Sequence, residues 1–571
     1  MSPLGKIKSE IVSLVAAVFP EAGFSASDIM PTPALTLGDL ALPMFKAAKV
    51  AGKSPGAVAE EAREKIGSSP AVAETTVAGP YLNFKIDRAA FTKETLAQIS
   101  KERSAYGNGK PTKKKMMVEF VSPNTNKPLH LGHLRNAAVG ESLCRILEAA
   151  GNKVVRADLL NDRGVGITKA MVAYKRWGGN ETPASTGTKS DHFVGDYYVM
   201  FEQKKAQHPD LDAEVAETLR KWEAGDKAAR ALWRTMTKWC VDGQNETVKM
   251  LGIKFDKVYR ESALYEDGKK MVLAAAAKGV FAKDEKGNIV AKLPNQPDKV
   301  VLRADGTAVY ITTDLVLTVK KIEENKLDDC LWVVGNEQDL HLRQLFGILR
   351  LLGYPWADRL EHISYGQVAL PEGRMKSREG TVVDVDELVA HLSELAKTET
   401  SVRHDFLDPS EVDERAEEIA LGAVKFYLLS VGAANGMVFN PKESLSFAGK
   451  TGPYVQYMNA RINSILRKAG GSTGSGRTDL SVLGGDGEWK LVLLLAGFPD
   501  LVAAAASLRD PSLVAKYAYD LSKAFSEFYE KCPVLKAEPV LRRARLSLVR
   551  AVGATLYRAI QLLAIPAPKE M

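Results

Sequence analysis

Cysteine is nearly absent: Cys144, Cys240, Cys330 and Cys532 are the four in 571 residues, and they stand far apart. That spacing builds neither a disulfide framework nor a zinc ribbon, so no structural metal is expected and a reducing cytoplasm is the simplest compartment. Long apolar runs are missing too. None approaches the roughly 18 residues of a membrane span, and no membrane partner is expected. The opening Met1-Ser2-Pro3-Leu4-Gly5-Lys6 alternates charged and apolar residues; it lacks the apolar core and small-residue cleavage site of a secretory signal. A strong charge of one sign is also lacking, since the formal net charge is +7. Its placement is informative. From Pro441 to Met571 there are 18 Lys and Arg against 11 Asp and Glu, while the first 440 residues are balanced at 59 each. A basic segment on a neutral body suits a polyanionic partner, and a mildly basic helical surface would look the same.

What is present begins with size. A chain of 62.1 kDa is too long for one core, and three or four domains are expected. Its 45% hydrophobic and 26% charged content is that of an ordinary soluble globular protein. The most informative stretch runs from Val118 to Asn136. Met116 to Val121 reads as a buried strand. Ser122-Pro123-Asn124 and Lys127-Pro128 read as turns, because each proline bars its predecessor from helical dihedrals. From His133 onward Leu134, Ala137, Ala138, Glu141, Cys144 and Leu147 recur at helical spacing. Strand, tight polar loop and helix together offer backbone N–H groups and a positive helix end to phosphate. His130 and His133 fall in that loop, and Gly132 between them leaves room for a flat ring against the backbone. Alone, His-x-x-His fits two solvated imidazoles equally well, or half of a zinc site whose other ligands the cysteines do not supply.

Along the rest of the chain, residues 1–110 read as a small α+β module. Ile7, Ile11, Val15 and Val18 mark an opening helix, Gly38-Asp39-Leu40-Ala41 a second, and Ala57 to Ile66 a third. Val77 to Ile86 alternates like a strand. Residues 111–400 read as a nucleotide-binding α/β domain, with a second strand at Lys153–Leu160 and an insertion over about 177–293. Strands at Lys299–Arg303 and Leu331–Gly335 resume the sheet. Tyr310 and Asp314, four apart, share a face if the chain turns helical at Ile311. Asn336 to His341 is a polar cluster at a strand end. Each such cluster alone is most simply a helix cap; three at one sheet edge point to a site. Gly373 to Thr381 carries three cations and fits an anion clamp or a charged surface turn. Residues 401–571 read as all-helical, with a flexible joint over Gly470–Gly487.

Ser-Pro-Asn-x-x-Lys-Pro-x-His-x-Gly-His-Leu-Arg (122–135) resembles the first signature of class I aminoacyl-tRNA synthetases, and its Ser-Pro-Asn and Lys-Pro elements resemble arginyl-tRNA synthetases specifically. Gly373–Thr381 resembles a degenerate second signature, with Met375 at the family methionine, Arg374 for the first lysine and Ser377 for the second. Lys127, before the first signature, stands where that family is thought to compensate. "Leu-Gly-Asp-Leu-Ala", "Gly-Pro-Tyr-x-Gln-Tyr" and "Tyr-Glu-Lys-Cys-Pro-Val-Leu" resemble the N-terminal and helical modules of the same family. The resemblance implies a Rossmann-like catalytic domain with a connective insertion, a small tRNA-contacting N-terminal module and an all-helical anticodon-binding domain. It implies an arginine–tRNA ligase that forms arginyl-adenylate from ATP and Mg²⁺ and passes arginine to the terminal ribose of tRNA(Arg), with activation dependent on tRNA. A monomer is expected.

By position, the resemblance makes Lys127, His130 and His133 catalytic. It places ATP against Gly132, Arg374, Met375, Ser377 and Arg378. It assigns the arginine main chain to Glu119 and Asn124, the guanidinium to Tyr310 and Asp314, and a further contact to Gln338. Tyr454, Tyr457, Arg461, Arg542 and Arg543 are candidate tRNA contacts, although aromatics in helix bundles are usually core. A planar cation with five donors calls for a carboxylate in fork geometry and a ring to pack on, which agrees with the Tyr310–Asp314 pair. Two rivals remain open: a non-catalytic RNA-binding paralogue, favoured by the degenerate second loop, and a synthetase or nucleotidyltransferase for another substrate.

Overall fold

The computed structural model describes residues 2–371, 383–403, 408–470 and 478–571. Arg374, Met375, Ser377 and Arg378, and part of the Gly470–Gly487 joint, lie outside the described residues. At the centre is a five-stranded, fully parallel sheet. Its order is Leu360–Tyr365, Asp329–Gly335, Lys115–Glu119, Lys153–Leu160, Lys257–Arg260. The first-signature strand is therefore the middle one, and its carboxyl end opens where the order reverses, the place at which such sheets bind ligands.

The helix that follows, Leu131–Ala149, is buried along nearly its whole length. One side lies on the sheet; the other is gripped by the C-terminal helices. Ser142 donates to the Leu562 carbonyl at 2.9 Å, and Arg145 to that of Gln561 at 3.0 Å. Arg135 is fully buried, and its guanidinium donates to the carbonyls of Gly366, Ala433 and Asn435. Lys425 does the same for two helix ends, donating to the carbonyls of Leu251 at 2.7 Å and Ala564 at 2.8 Å. The N-terminal module, the signature helix and the C-terminal helices share one continuous hydrophobic core.

Several expectations need correction. Gly38–Ala41 does not open a helix: Leu40–Pro43 is a strand, in register with Tyr81–Ile86, and helix begins only at Phe45. Pairing along a buried strand outweighed the local pattern, and Asp39 is held by the Ile86 N–H and the Trp489 indole. The insertion is not continuous to residue 293. Its helices Ser190–Lys204, Leu211–Glu223 and Lys227–Met250 pack on their own core, but Lys257–Arg260 then returns to the edge of the main sheet. The strand at Lys299–Leu302 joins a separate antiparallel sheet of three. Met437–Val438, in the region expected to be all-helical, pairs with Val368–Ala369. Finally, the helix Asp486–Leu508 is long and apolar enough to cross a membrane, with a mean hydropathy of 2.0 over an 18-residue window. Here it packs Trp489, Leu495, Phe498 and Val502 into the shared core.

Candidate active site

At the carboxyl end of the central strand the backbone turns sharply. Val121 and Ser122 both adopt positive φ, 69° and 44°. That is a costly conformation for a β-branched residue and persists only where its surroundings impose it. Asn136, one turn into the signature helix, accepts from the Val121 N–H at 2.6 Å, and Asp158 accepts from that of Ser122 at 2.9 Å. The turn thereby sets Glu119, before it, and Asn124, after it, against one cavity.

That cavity, of about 440 Å³, is lined by Glu119, Asn124, His133, Tyr310, Asp314 and Gln338 together. Six residues predicted from widely separated stretches thus meet. Tyr310 and Asp314 lie on the first turns of the helix Tyr310–Asn325, and the Tyr310 ring is largely exposed. Asp314 Oδ2 is 2.6 Å from His341 Nε2, a partner from the Asn336–His341 cluster that fixes the carboxylate's orientation. Glu119 is less free than expected. Its carboxylate is paired with Lys321 on the cavity floor, both almost fully buried, and the ammonium lies over the rings of Tyr259 and Trp332. Asp158 sits beside this pair, and burial pushes its carboxyl up to about 7.

Glu261 was missed in the sequence. It lines the same cavity, and burial, opposed by Arg163, pushes its carboxyl up to about 7. It follows the short edge strand Lys257–Arg260 just as the other site residues follow theirs; the signal was hidden once that strand was read as insertion. The cavity thus gathers the carboxyls of Glu119, Glu261, Asp314 and Glu337, with Asp158 near its floor, a field suited to a cation.

His130 and His133 flank the signature helix start, with ring centroids 3.8 Å apart, and His133 Nδ1 accepts from the His130 N–H at 3.2 Å. A Cβ on Gly132 would lie 3.0 Å from the His130 ring, so the flat group that occupies the glycine's face here is that imidazole. His130 and Lys127 line a neighbouring cavity of about 140 Å³. A third, of about 250 Å³, joins Lys127 and Asn124 to Tyr310 and Glu261. Burial, then Lys127, holds His130 down at about 4; burial, then His130 and Lys127, holds His133 well below its usual range. Burial lowers Lys127 as well. Three basic groups are thus crowded where an added anion would favour their charged forms.

In the helical region Tyr454, Tyr457 and Arg461 share one face of the helix Gly452–Lys468. Tyr454 packs 5.8 Å from the Tyr519 ring, and the Arg461 guanidinium lies 4.9 Å over Tyr529. Arg542 and Arg543 are near the start of the helix Pro539–Leu562. On the opposite face of Gly452–Lys468 a surface groove is lined by Asn459, Asn463, Arg467, Arg550, Tyr557 and Lys569.

The family model described as "tRNA synthetases class I (R), catalytic domain" matches residues 95–440. "Arginyl tRNA synthetase N terminal domain" matches 5–86, and "DALR anticodon binding domain" matches 455–571. The family model that spans the parallel sheet and its signature loop makes the chain a class I aminoacyl-tRNA synthetase. An arginine–tRNA ligase of Treponema pallidum subsp. pallidum is 44% identical, over 94% of this chain and 93% of its own. One of Borrelia hermsii is 38% identical over 99% of this chain and 100% of its own. The solved arginyl-tRNA synthetase of Thermus thermophilus superposes with a TM-score of 0.84 at 27% identity, covering 99% of this chain and 100% of that one. The chain belongs to the arginyl-tRNA synthetase family.

Proposed function

We propose how this chain's residues divide the work of an arginine–tRNA ligase, the activity its family membership gives it. Arginine enters the 440 Å³ cavity with its guanidinium between Asp314 and the Tyr310 ring, and Glu261 supplies a second carboxylate. Its α-amine meets Glu119 and Asn124, and Gln338 adds a polar contact. Lysine would leave part of this fork unpaired, which gives strong discrimination without editing. ATP lies across the signature helix start with its phosphates toward Lys127, His130 and His133, and Mg²⁺ arrives on those phosphates. The arginine carboxylate attacks the α-phosphorus and pyrophosphate leaves. Positioning and charge stabilisation supply the rate, without a covalent enzyme intermediate. Arginine then passes to the 3′-terminal ribose of tRNA(Arg). Residues 1–110 contact the tRNA body, and the helical region 401–571 reads the anticodon arm through Tyr454, Tyr457, Arg461, Arg542 and Arg543. The enzyme works as a cytoplasmic monomer.

The observation that carries this reading is the convergence of Glu119, Asn124, Tyr310, Asp314 and Gln338 on one cavity beside the histidine pair. ATP–pyrophosphate exchange with each amino acid, with and without tRNA, tests it. Exchange with arginine alone, dependent on tRNA, is expected. Exchange with another amino acid would reassign the specificity residues, and no exchange at all would mark a non-catalytic RNA binder.

A further inference from the structure

The insertion has a specific attachment to the nucleotide side of the cleft. Asp384 and Asp386 stand where the helix Val385–Arg403 begins. Their segment pairs with the first signature: Leu131 N–H donates to the Val383 carbonyl at 3.2 Å and Val385 N–H to the Leu129 carbonyl at 2.9 Å, with His130 facing Asp384 between them. The other side of the segment is held by the insertion. Asp386 accepts from Lys189 at 2.6 Å, from Thr247 at 2.9 Å, and lies 3.2 Å from His192 Nε2, which is 3.3 Å from Asp384. Gln244, one turn before Thr247 on the same insertion helix, donates to the carbonyls of Asn124 at 2.9 Å and Lys127 at 2.8 Å. One helix face thus grips both the Lys127 turn and the segment bridged to His130.

Asp191, His192 and Asp386 lie close enough together to suggest a metal site. The Lys189 ammonium, 2.6 Å from Asp386 and 3.4 Å from Asp191, already fills the place of a cation there. The cluster is a clamp. We propose that Asp386 and His192 are positioning residues for the ATP half of the reaction: through them the insertion holds His130 and Lys127 in register with the ATP phosphates. This rests on the reading that Lys127 and His130 meet those phosphates.

The clamp is sensitive to pH. His192 is faced by Asp384 and Asp386 from the helix start, by Lys189, Asp191 and Asp196 from its own segment, and by Lys127 and His130 across the 140 Å³ cavity. Its hydrogen bond to Asp386 raises it above the usual imidazole range despite burial. Burial would raise Asp386, but His192 and Lys189 hold it at about 2. A charged imidazole closes the clamp, and losing its proton as pH rises removes one charge-assisted hydrogen bond.

ATP–pyrophosphate exchange on the full chain with tRNA(Arg), at pH 6 to 9.5, with ATP and arginine varied separately, tests the proposal. Asp386→Asn is expected to raise KM for ATP about tenfold, the effect of one weakened charged hydrogen bond, and to leave KM for arginine within about twofold. Asp386→Glu should restore part of the loss. His192→Gln, unable to carry the charge, should raise KM for ATP at neutral pH toward the parent's alkaline value and so abolish its pH dependence. Folded variants with the parent's KM for ATP and pH profile would overturn the proposal, as would parallel increases in both KM values, which mark general loosening. Should Asp386→Asn fail to fold, the pH profile of His192→Gln decides alone. His130→Ala is the separate control: if it leaves ATP use intact, the phosphate reading fails and takes this inference with it.

Discussion

Replacing Asp314 by asparagine probes the arginine pocket most directly. The side chain keeps its shape, and an amide can still bond His341 Nε2, now 2.6 Å from the carboxylate. Only the charge is lost. Two unit charges about 3 Å apart at an effective dielectric near 20 attract by about 5 kcal/mol. The Asp314 side chain is 28% exposed, so water offsets part of this; net values for charged hydrogen bonds are about 1.5–3 kcal/mol. A loss of about 2–3 kcal/mol is expected, a fall of about 30- to 150-fold in kcat/KM for arginine. Citrulline has the same outline with a neutral ureido end, so whatever exchange it supports should change less than about threefold, since the asparagine can still bond a neutral head. The assay is tRNA-dependent pyrophosphate exchange with each amino acid, alongside thermal melting to show that the variant folds. Equal falls for arginine and citrulline would refute the reasoning, because they would mark a disturbed pocket instead of a missing charge.

Three further predictions follow from burial and packing. The Glu261 carboxyl, pushed up to about 7 by burial, is partly protonated at neutral pH; a bound guanidinium favours its charged form, so arginine binding should release protons near pH 7 and weaken as pH falls below it. Calorimetry in buffers of different ionisation enthalpy would read this, and Glu261→Gln should abolish it; proton uptake would contradict the assignment. Lys321→Met strands Glu119 on the cavity floor, where both side chains are almost fully buried, and should cost about 3–5 kcal/mol in denaturant unfolding; a loss under about 1 kcal/mol would show that the pair is not the sole compensation. Gly140→Ala would set a methyl group 2.3 Å from Phe120, a fully buried ring under the signature helix, and should destabilise by about 1–3 kcal/mol; a variant as stable as the parent would mean that this helix is not tightly seated on the sheet.

What the sequence alone determined is local. The strand, the proline turns and the helix from Met116 to Leu147 were legible because apolar period and proline chemistry act within a few residues. The four-residue spacing of Tyr310 and Asp314 put them on one helix face for the same reason, and the motifs identified the family before any contact was known. Tertiary structure decided the rest. Leu40–Pro43 became a strand because a buried neighbour offered a ladder. Lys257–Arg260 found the sheet edge although four residues are too few for a periodic signal, and it delivered Glu261 to the site. The partners of the buried charges were settled only in three dimensions: Glu119 with Lys321, Asp314 with His341, Asp386 with Lys189 and His192. A charge withdrawn from water must find its counterpart wherever the folded chain brings one, and no sequence spacing encodes that distance.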